Sequence, residues 1–460
     1  MHSLFMQRTA GRALGALTVA LSTALAGCGG GEIDSDDGSV SPQSEIGLDG
    51  RARALSAGTS TLDAALTESA AVFAPAAGIT EAQKFGAPNG MAGDLFGFSV
   101  AAFESRVVVG APQQNINFRF TSDQGTAYLF DASGSLVREL LPASADERRR
   151  DDNYGRSVAV SGNVIAVGSP GADDVGQFAG EVFVFSAEGG AQLAKLVPTG
   201  TRRNPADGSA FGSAVDVSLD RIVVGAPGTF TNVSDRIGGV GAIYLYDAST
   251  KRLIAKVTPQ EARPKDNVGH SVAVAGSTVV AGAPFDSFAA SEAGAAYVSD
   301  PPNGKVRLKL TASDAAALDR FGFAVATSGA LIAVGAPFDD DSGSASGSVY
   351  LFDAATGARL RKIVATDGGA NDQFGISLEL VGNHLAVGAW GDNDGAGSVY
   401  VFDVTTGLQL GKLVASDAAP GDILGRSVAL SGSAVIAGAA RDGDRGADSG
   451  SVYRFALPTP

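Results

Sequence analysis

The sequence predicts an all-β fold, a seven-bladed β-propeller of four-stranded antiparallel blades. Three observations predict it. A phrase typified by RFGFAVATSGALIAVGAP at 320–337 occurs seven times along the 460 residues. Every copy carries two glycines a fixed thirteen residues apart. Between these landmarks stand short runs of Val, Ile, Ala and Phe broken by turn residues, the pattern of strands rather than helices.

The first glycine of each copy falls at Gly97, Gly155, Gly212, Gly269, Gly322, Gly375 and Gly425. The second falls at Gly110, Gly168, Gly225, Gly282, Gly335, Gly388 and Gly438. A third landmark is an aromatic with a glycine three residues before it: Tyr128, Phe183, Tyr244, Tyr297, Tyr350, Tyr400 and Tyr453. From the second glycine to this aromatic the distance varies from 12 to 19 residues. The invariant stretches are framework, and the one variable connection is a surface loop.

Each unit reads as four strands. In the second copy they are 156–161, 164–169, 180–185 and 191–197. Tight turns such as Ser-Gly-Asn at 161–163 join the first pair as a hairpin. Asp-Ala-Ala-Thr-Gly at 353–357 and Asp-Val-Thr-Thr-Gly at 403–407 join the second pair, where Asp accepts from backbone N–H groups and Gly takes positive φ. The first two strands are almost wholly small and apolar, so both faces must be covered. Sheets that need neighbours on both faces, repeated at about 50 residues, close into a propeller.

The seventh copy stops one strand short, at SVYRFALPTP. The missing strand is expected ahead of the first copy. Lys84-Phe85 stands thirteen residues before Gly97, as Lys412-Leu413 does before Gly425. The segment 79–85 should therefore complete the blade begun by the C-terminus and remove a sheet edge.

The ends of the chain predict three parts. Residues 1–27 read as a lipoprotein signal peptide: Arg8 and Arg12, an apolar stretch over 13–26, then Leu25-Ala26-Gly27-Cys28. Cys28, the only cysteine, is the expected lipid attachment site, against the alternative of an ordinary signal that contains a Cys. Residues 28–78 are a flexible Gly/Ser/Asp-rich tether, and 79–460 are the propeller. With no second cysteine, packing alone must hold the fold. The formal net charge of −15 shows no basic footprint for nucleic acid.

Phe-Gly, then Ser-Val-Ala, then Val-Gly-Ala-Pro resembles the FG-GAP repeat of integrin alpha-chain propellers and of bacterial surface proteins. The resemblance covers about 79–458, with Gly-Ala-Pro intact at 110–112, 225–227, 282–284 and 335–337. It implies the propeller fold and, by analogy, adhesion. The integrin-type calcium loop, which lies between the Phe-Gly and Gly-Ala-Pro strands, is absent, because that connection is here a tight turn.

Acids cluster instead in the variable loops: Asp339, Asp340 and Asp341; Asp392, Asn393 and Asp394; Asp442, Asp444 and Asp448. Oxygen ligands with a turning Gly suit Ca²⁺, and these loops are candidate calcium sites against the plainer reading of solvated acidic turns. Phe338, Trp390 and Arg441 are the candidate ligand contacts on the same face, although Trp390 also stands where other copies have the framework Pro. No cluster of His ligands, nucleophile elbow or phosphate loop is present, and a non-enzyme is expected. The expected function is an exported, lipid-anchored binding or adhesion protein of the outer membrane or cell surface. It would bind a protein or glycan as a monomer, with calcium as a candidate aid. The alternatives are a structural or assembly subunit of an envelope complex and, after it, a hydrolase using acids at the axial channel.

Overall fold

The computed structural model describes residues 78–114, 124–144, 147, 149–198, 208–228, 239–300 and 304–458. The signal segment, Cys28 and all but the last residue of the tether lie outside the described residues. Seven four-stranded antiparallel sheets follow one another in chain order. Blade one comprises Ser99–Phe103, Arg106–Ala111, Thr126–Asp131 and Leu136–Leu140. Blade two comprises Ser157–Ser161, Val164–Ser169, Glu181–Ser186 and Gln192–Leu196, within one residue of the limits read from the sequence. The first strand of every blade packs beside the first strands of its two neighbours, and the cycle closes from blade seven to blade one.

Blade seven draws three strands from the C-terminus, Leu424–Ser431, Ala434–Ala439 and Ser451–Ala456, and its outermost strand, Gln83–Phe85, from the N-terminal end. Gln83 pairs with Arg454, Lys84 with Tyr453 and Phe85 with Val452, which is the closure that the thirteen-residue spacing predicts.

The repeated residues are the inter-blade joints. The first glycine of each copy has φ between +84° and +93°. A Cβ on the second glycine would lie 1.9–2.1 Å from the carbonyl oxygen of the next blade's first glycine, from Gly110 against Gly155 round to Gly438 against Gly97. Only a residue without a side chain lets two backbones approach this closely. Five serines strengthen the same seam: the hydroxyls of Ser99, Ser157, Ser271, Ser377 and Ser427 donate to the carbonyls of Gly155, Gly212, Gly322, Gly425 and Gly97 at 2.8–3.0 Å. The aromatic before the first glycine fills the space between sheets. Phe321 meets Tyr350 edge-on at 5.4 Å and Phe374 meets Tyr400 at 5.5 Å, geometry that adds about 1 kcal/mol to area burial. The apolar clusters accordingly mix side chains of adjacent blades.

In six of the seven blades an aspartate three residues before the first glycine caps the turn that leads into the blade, and blade three has Ser209 there. Asp319 accepts from Ala316 N–H at 2.6 Å, Asp266 from Arg263 N–H at 2.6 Å and Asp372 from Gly369 N–H at 2.6 Å. Burial pushes the carboxyls of Asp152, Asp266 and Asp319 up to about 6 despite these bonds.

Candidate functional site

In each blade the connections after the second and fourth strands emerge on one face. In blade five the loop after the second strand takes hydrogen bonds from the turn entering blade six: Gln373 N–H donates to Ala345 and Phe374 N–H to Ser346, both at 3.0 Å. Among the described residues the variable loops of the other blades likewise take hydrogen bonds from the turns entering the next blade.

The acids predicted for calcium gather around lysines of the fourth strands. Lys362 Nζ lies 3.0 Å from Asp339, 2.5 Å from Asp341 and 2.9 Å from Asp314. Lys84 Nζ lies 2.8 Å from Asp442, 2.5 Å from Asp444 and 2.6 Å from Asp417. Lys412 holds Asp392 at 2.6 Å and Asp367 at 2.7 Å, and Lys309 holds Asp286 at 2.8 Å. In blade two Lys195 holds Glu181 and Asp174 in the same manner. The third-strand aromatic completes the knot: Tyr350 OH donates to Asp339 at 2.8 Å, and Tyr297 OH to Asp286 at 3.0 Å. Strand register explains the grouping, since Tyr350 faces Lys362 and Tyr400 faces Lys412 across the outer pair of strands.

Burial works against a charged Lys362, but the hydrogen bonds it donates to Asp341, Asp314 and Asp339 outweigh it and hold the amine above its ordinary range. The ammonium therefore stands at the focus of each carboxylate set. The tightest acid triad, Asp417 with Asp442 and Asp444, is the set that Lys84 occupies. Other members of the predicted set stand apart from the knots. Asp340 accepts from Ala345 N–H, Asn393 and Asp394 form a left-handed kink in the single helical turn Asp392–Gly395, and Asp448 is exposed with φ +55°.

The three predicted contact residues separate. Arg441 is exposed. Phe338 and Trp390 are half-buried and pack inward, Phe338 under the Arg320 guanidinium at 4.9 Å and Trp390 beside that of Arg426 at 5.2 Å. Trp390 Nε1–H also donates to Gln373 Oε1 at 2.5 Å.

At the axis, the residue following each first glycine contributes one member to a ring: Phe98, Arg156, Ser213, His270, Phe323, Ile376 and Arg426. Arg156 and Arg426, on the blades either side of Phe98, place their guanidinium carbons 4.5 and 4.1 Å from the centre of its ring. Burial lowers the His270 imidazole to about 4, and its Nδ1 meets the Phe323 carbonyl at 3.2 Å. Below this ring the first strands enclose an axial cavity of about 680 Å³. Val, Ala and Leu make up most of its wall, and Asp216 and Glu379 hold the register position occupied by Ala101, Ala159, Ala273, Ala326 and Ala429 in the other blades. Asp216 accepts from Val274 N–H of the next blade at 2.6 Å. Glu379 remains partly open to the cavity. Desolvation by the narrow wall, then the charge of Asp216, pushes its carboxyl up to about 8.

A family model described as the FG-GAP repeat matches residues 79–130, 143–185, 252–299, 306–352, 359–402 and 408–455. The chain belongs to the FG-GAP repeat family. No curated protein matches it. The stretch 186–251 falls outside the matched repeats, yet this FG-GAP propeller builds the first three strands of its third blade there, Ala214–Val217, Arg221–Ala226 and Ala242–Asp247, and completes the blade with Leu253–Val257. The lysines of the knots, the ring arginines and the two cavity acids are the site residues that sequence reasoning missed. The lysines had a signal: in blades two, four, five and six each follows the third-strand aromatic by twelve residues, from Phe183 and Lys195 to Tyr400 and Lys412.

Proposed function

We propose that this FG-GAP propeller is an exported, lipid-anchored binding protein whose loop face holds a protein or glycan ligand in an adhesion role. One observation carries the reading. The geometry repeated in every copy serves to join blades, while a single face combines loops of variable length with partly exposed Phe338 and Trp390 around an axial mouth. Aromatic anchors beside arginine are the side chains from which binding hot spots are made. The lipid anchor rests on Leu25-Ala26-Gly27-Cys28. Among the described residues no helix is long and apolar enough to cross a membrane. Calcium enters this reading as a competitor of lysine: an ion would take the acid triads only by displacing an ammonium that already neutralises them.

The test is a screen of the full chain against glycan and matrix-protein arrays, with and without calcium. Wild type should bind at least one class of ligand, and Trp390→Ala and Phe338→Ala should weaken that binding about tenfold with the fold retained by circular dichroism. An array blank for both classes, together with one stoichiometric envelope partner in a pull-down, would replace adhesion by an assembly role.

A further inference from the structure

The ring at the axial mouth contains an electrostatic anomaly. Arg156 and Arg426 share one aromatic ring, Phe98, so their separation cannot exceed the sum of two short stacking distances. Among the described residues neither guanidinium has a carboxylate or hydrogen-bonding partner, whereas Arg149, Arg221, Arg307 and Arg320 are each paired with an acid. In a chain with 49 acids and 34 bases, two adjacent unpaired arginines are not a consequence of composition. Desolvation, and for Arg426 the charge of Arg156, lowers both groups. Stacking on Phe98 offsets only part of this repulsion. Arg156 is nonetheless exposed at the mouth, so its N–H fork is reachable from solvent.

The geometry points to an oxyanion site at the axis of the loop face, in which Arg156 and Arg426 clamp one carboxylate, sulfate or phosphate group of the ligand. A guanidinium presents paired N–H donors that match such a group bidentately, and two forks set on one rigid ring lose little entropy on binding it. The inference rests on the reading of the loop face as the binding face, and adds the chemistry that the ligand must display.

The only tryptophan of the chain reports on the site, because Trp390 lies 5.2 Å from the Arg426 guanidinium. Tryptophan fluorescence of the full chain would be followed as sodium sulfate, phosphate, acetate or glucuronate replaces chloride at fixed ionic strength. The expected result is a saturable change with at least one oxyanion, weakened tenfold or more by Arg156→Gln and by Arg426→Gln, and unaltered by Arg138→Gln on the outer strand of blade one. The anion that binds most tightly identifies the group. If Arg426→Gln fails to fold, the exposed Arg156→Gln and Arg156→Lys variants decide alone. Absence of saturation with all four anions, or equal responses in wild type and Arg156→Gln, overturns the inference. An array ligand whose binding ignores both Arg156→Gln and added oxyanion would also sink it while sparing adhesion. Oxyanion binding on a protein with blank arrays would do the reverse.

Discussion

At the scale of single residues, the molecule neutralises its acids internally. Asp339 is buried, and Lys362 with Tyr350 supplies the charge and the hydrogen bond that a buried carboxylate requires. Lys362→Met should therefore cost about 3 kcal/mol, because removing one partner leaves the other charge buried and unpaired. Chemical denaturation measures that loss. Millimolar Ca²⁺ should leave the melting temperature of wild type unchanged and raise that of the Lys362→Met variant, whose acid triad has lost its cation. A second residue-scale prediction concerns Glu379. Its folded pKa of about 8 lies above the ordinary 4.5, so the folded protein holds an extra proton between those values. The stability linked to that proton is fully present below about pH 4.5 and is lost as pH rises through about 8. Glu379→Gln should thus melt about 2 °C above wild type at pH 9, with the difference vanishing at pH 4. A constant difference across that range would show that the carboxyl does not titrate in the cavity.

At the scale of strands and joints, the second glycine of each copy governs stability more than any side chain beside it. A Cβ at Gly335 would stand 2.1 Å from the Gly375 carbonyl oxygen, a backbone atom that cannot swing aside. Gly335→Ala should cost about 3 kcal/mol in thermal or denaturant unfolding, as overpacked sites do. Gly189→Ala, where a Cβ meets nothing within 4 Å, should be neutral. The strands themselves were legible from the sequence because hairpin turns and glycine spacing fix register, and a fixed register leaves one way to bury the apolar runs. The site was legible only in part. Acids in surface loops look solvated until one asks what faces them across the strand pair, and Lys362 and Asp339 are 23 residues apart. The ring arginines were harder still. The position after the first glycine holds Phe, Arg, Ser, His and Ile in different blades, so no single copy marks it as axial. Asp216 and Glu379 carry a clearer mark, being acids at an otherwise all-Ala position of the innermost strand.

At the scale of the whole molecule, one short strand completes the blade at which the ring closes. Deleting residues 79–85 should leave Ser451–Ala456 as an unpaired edge, remove Lys84 from Asp417, Asp442 and Asp444, and lower the melting temperature by several degrees with concentration-dependent aggregation. A truncated chain that melts and sediments as wild type does would show that closure contributes nothing. Ring closure also settles which blade is structurally composite. Six blades are made from consecutive chain, whereas the seventh joins residues more than 360 positions apart, as the pairing of Lys84 with Tyr453 records.

That splice has a bearing on biogenesis. A polypeptide delivered from its N-terminus presents Gln83–Phe85 before any of the blades exists and supplies its mate, Ser451–Ala456, only after the strands of the other six blades. The earliest segment of the disc must wait, unmated, for the latest. Completion therefore waits on one strand, and a ribosome that stalls before Ser451 would leave an incomplete circle rather than a slightly smaller one.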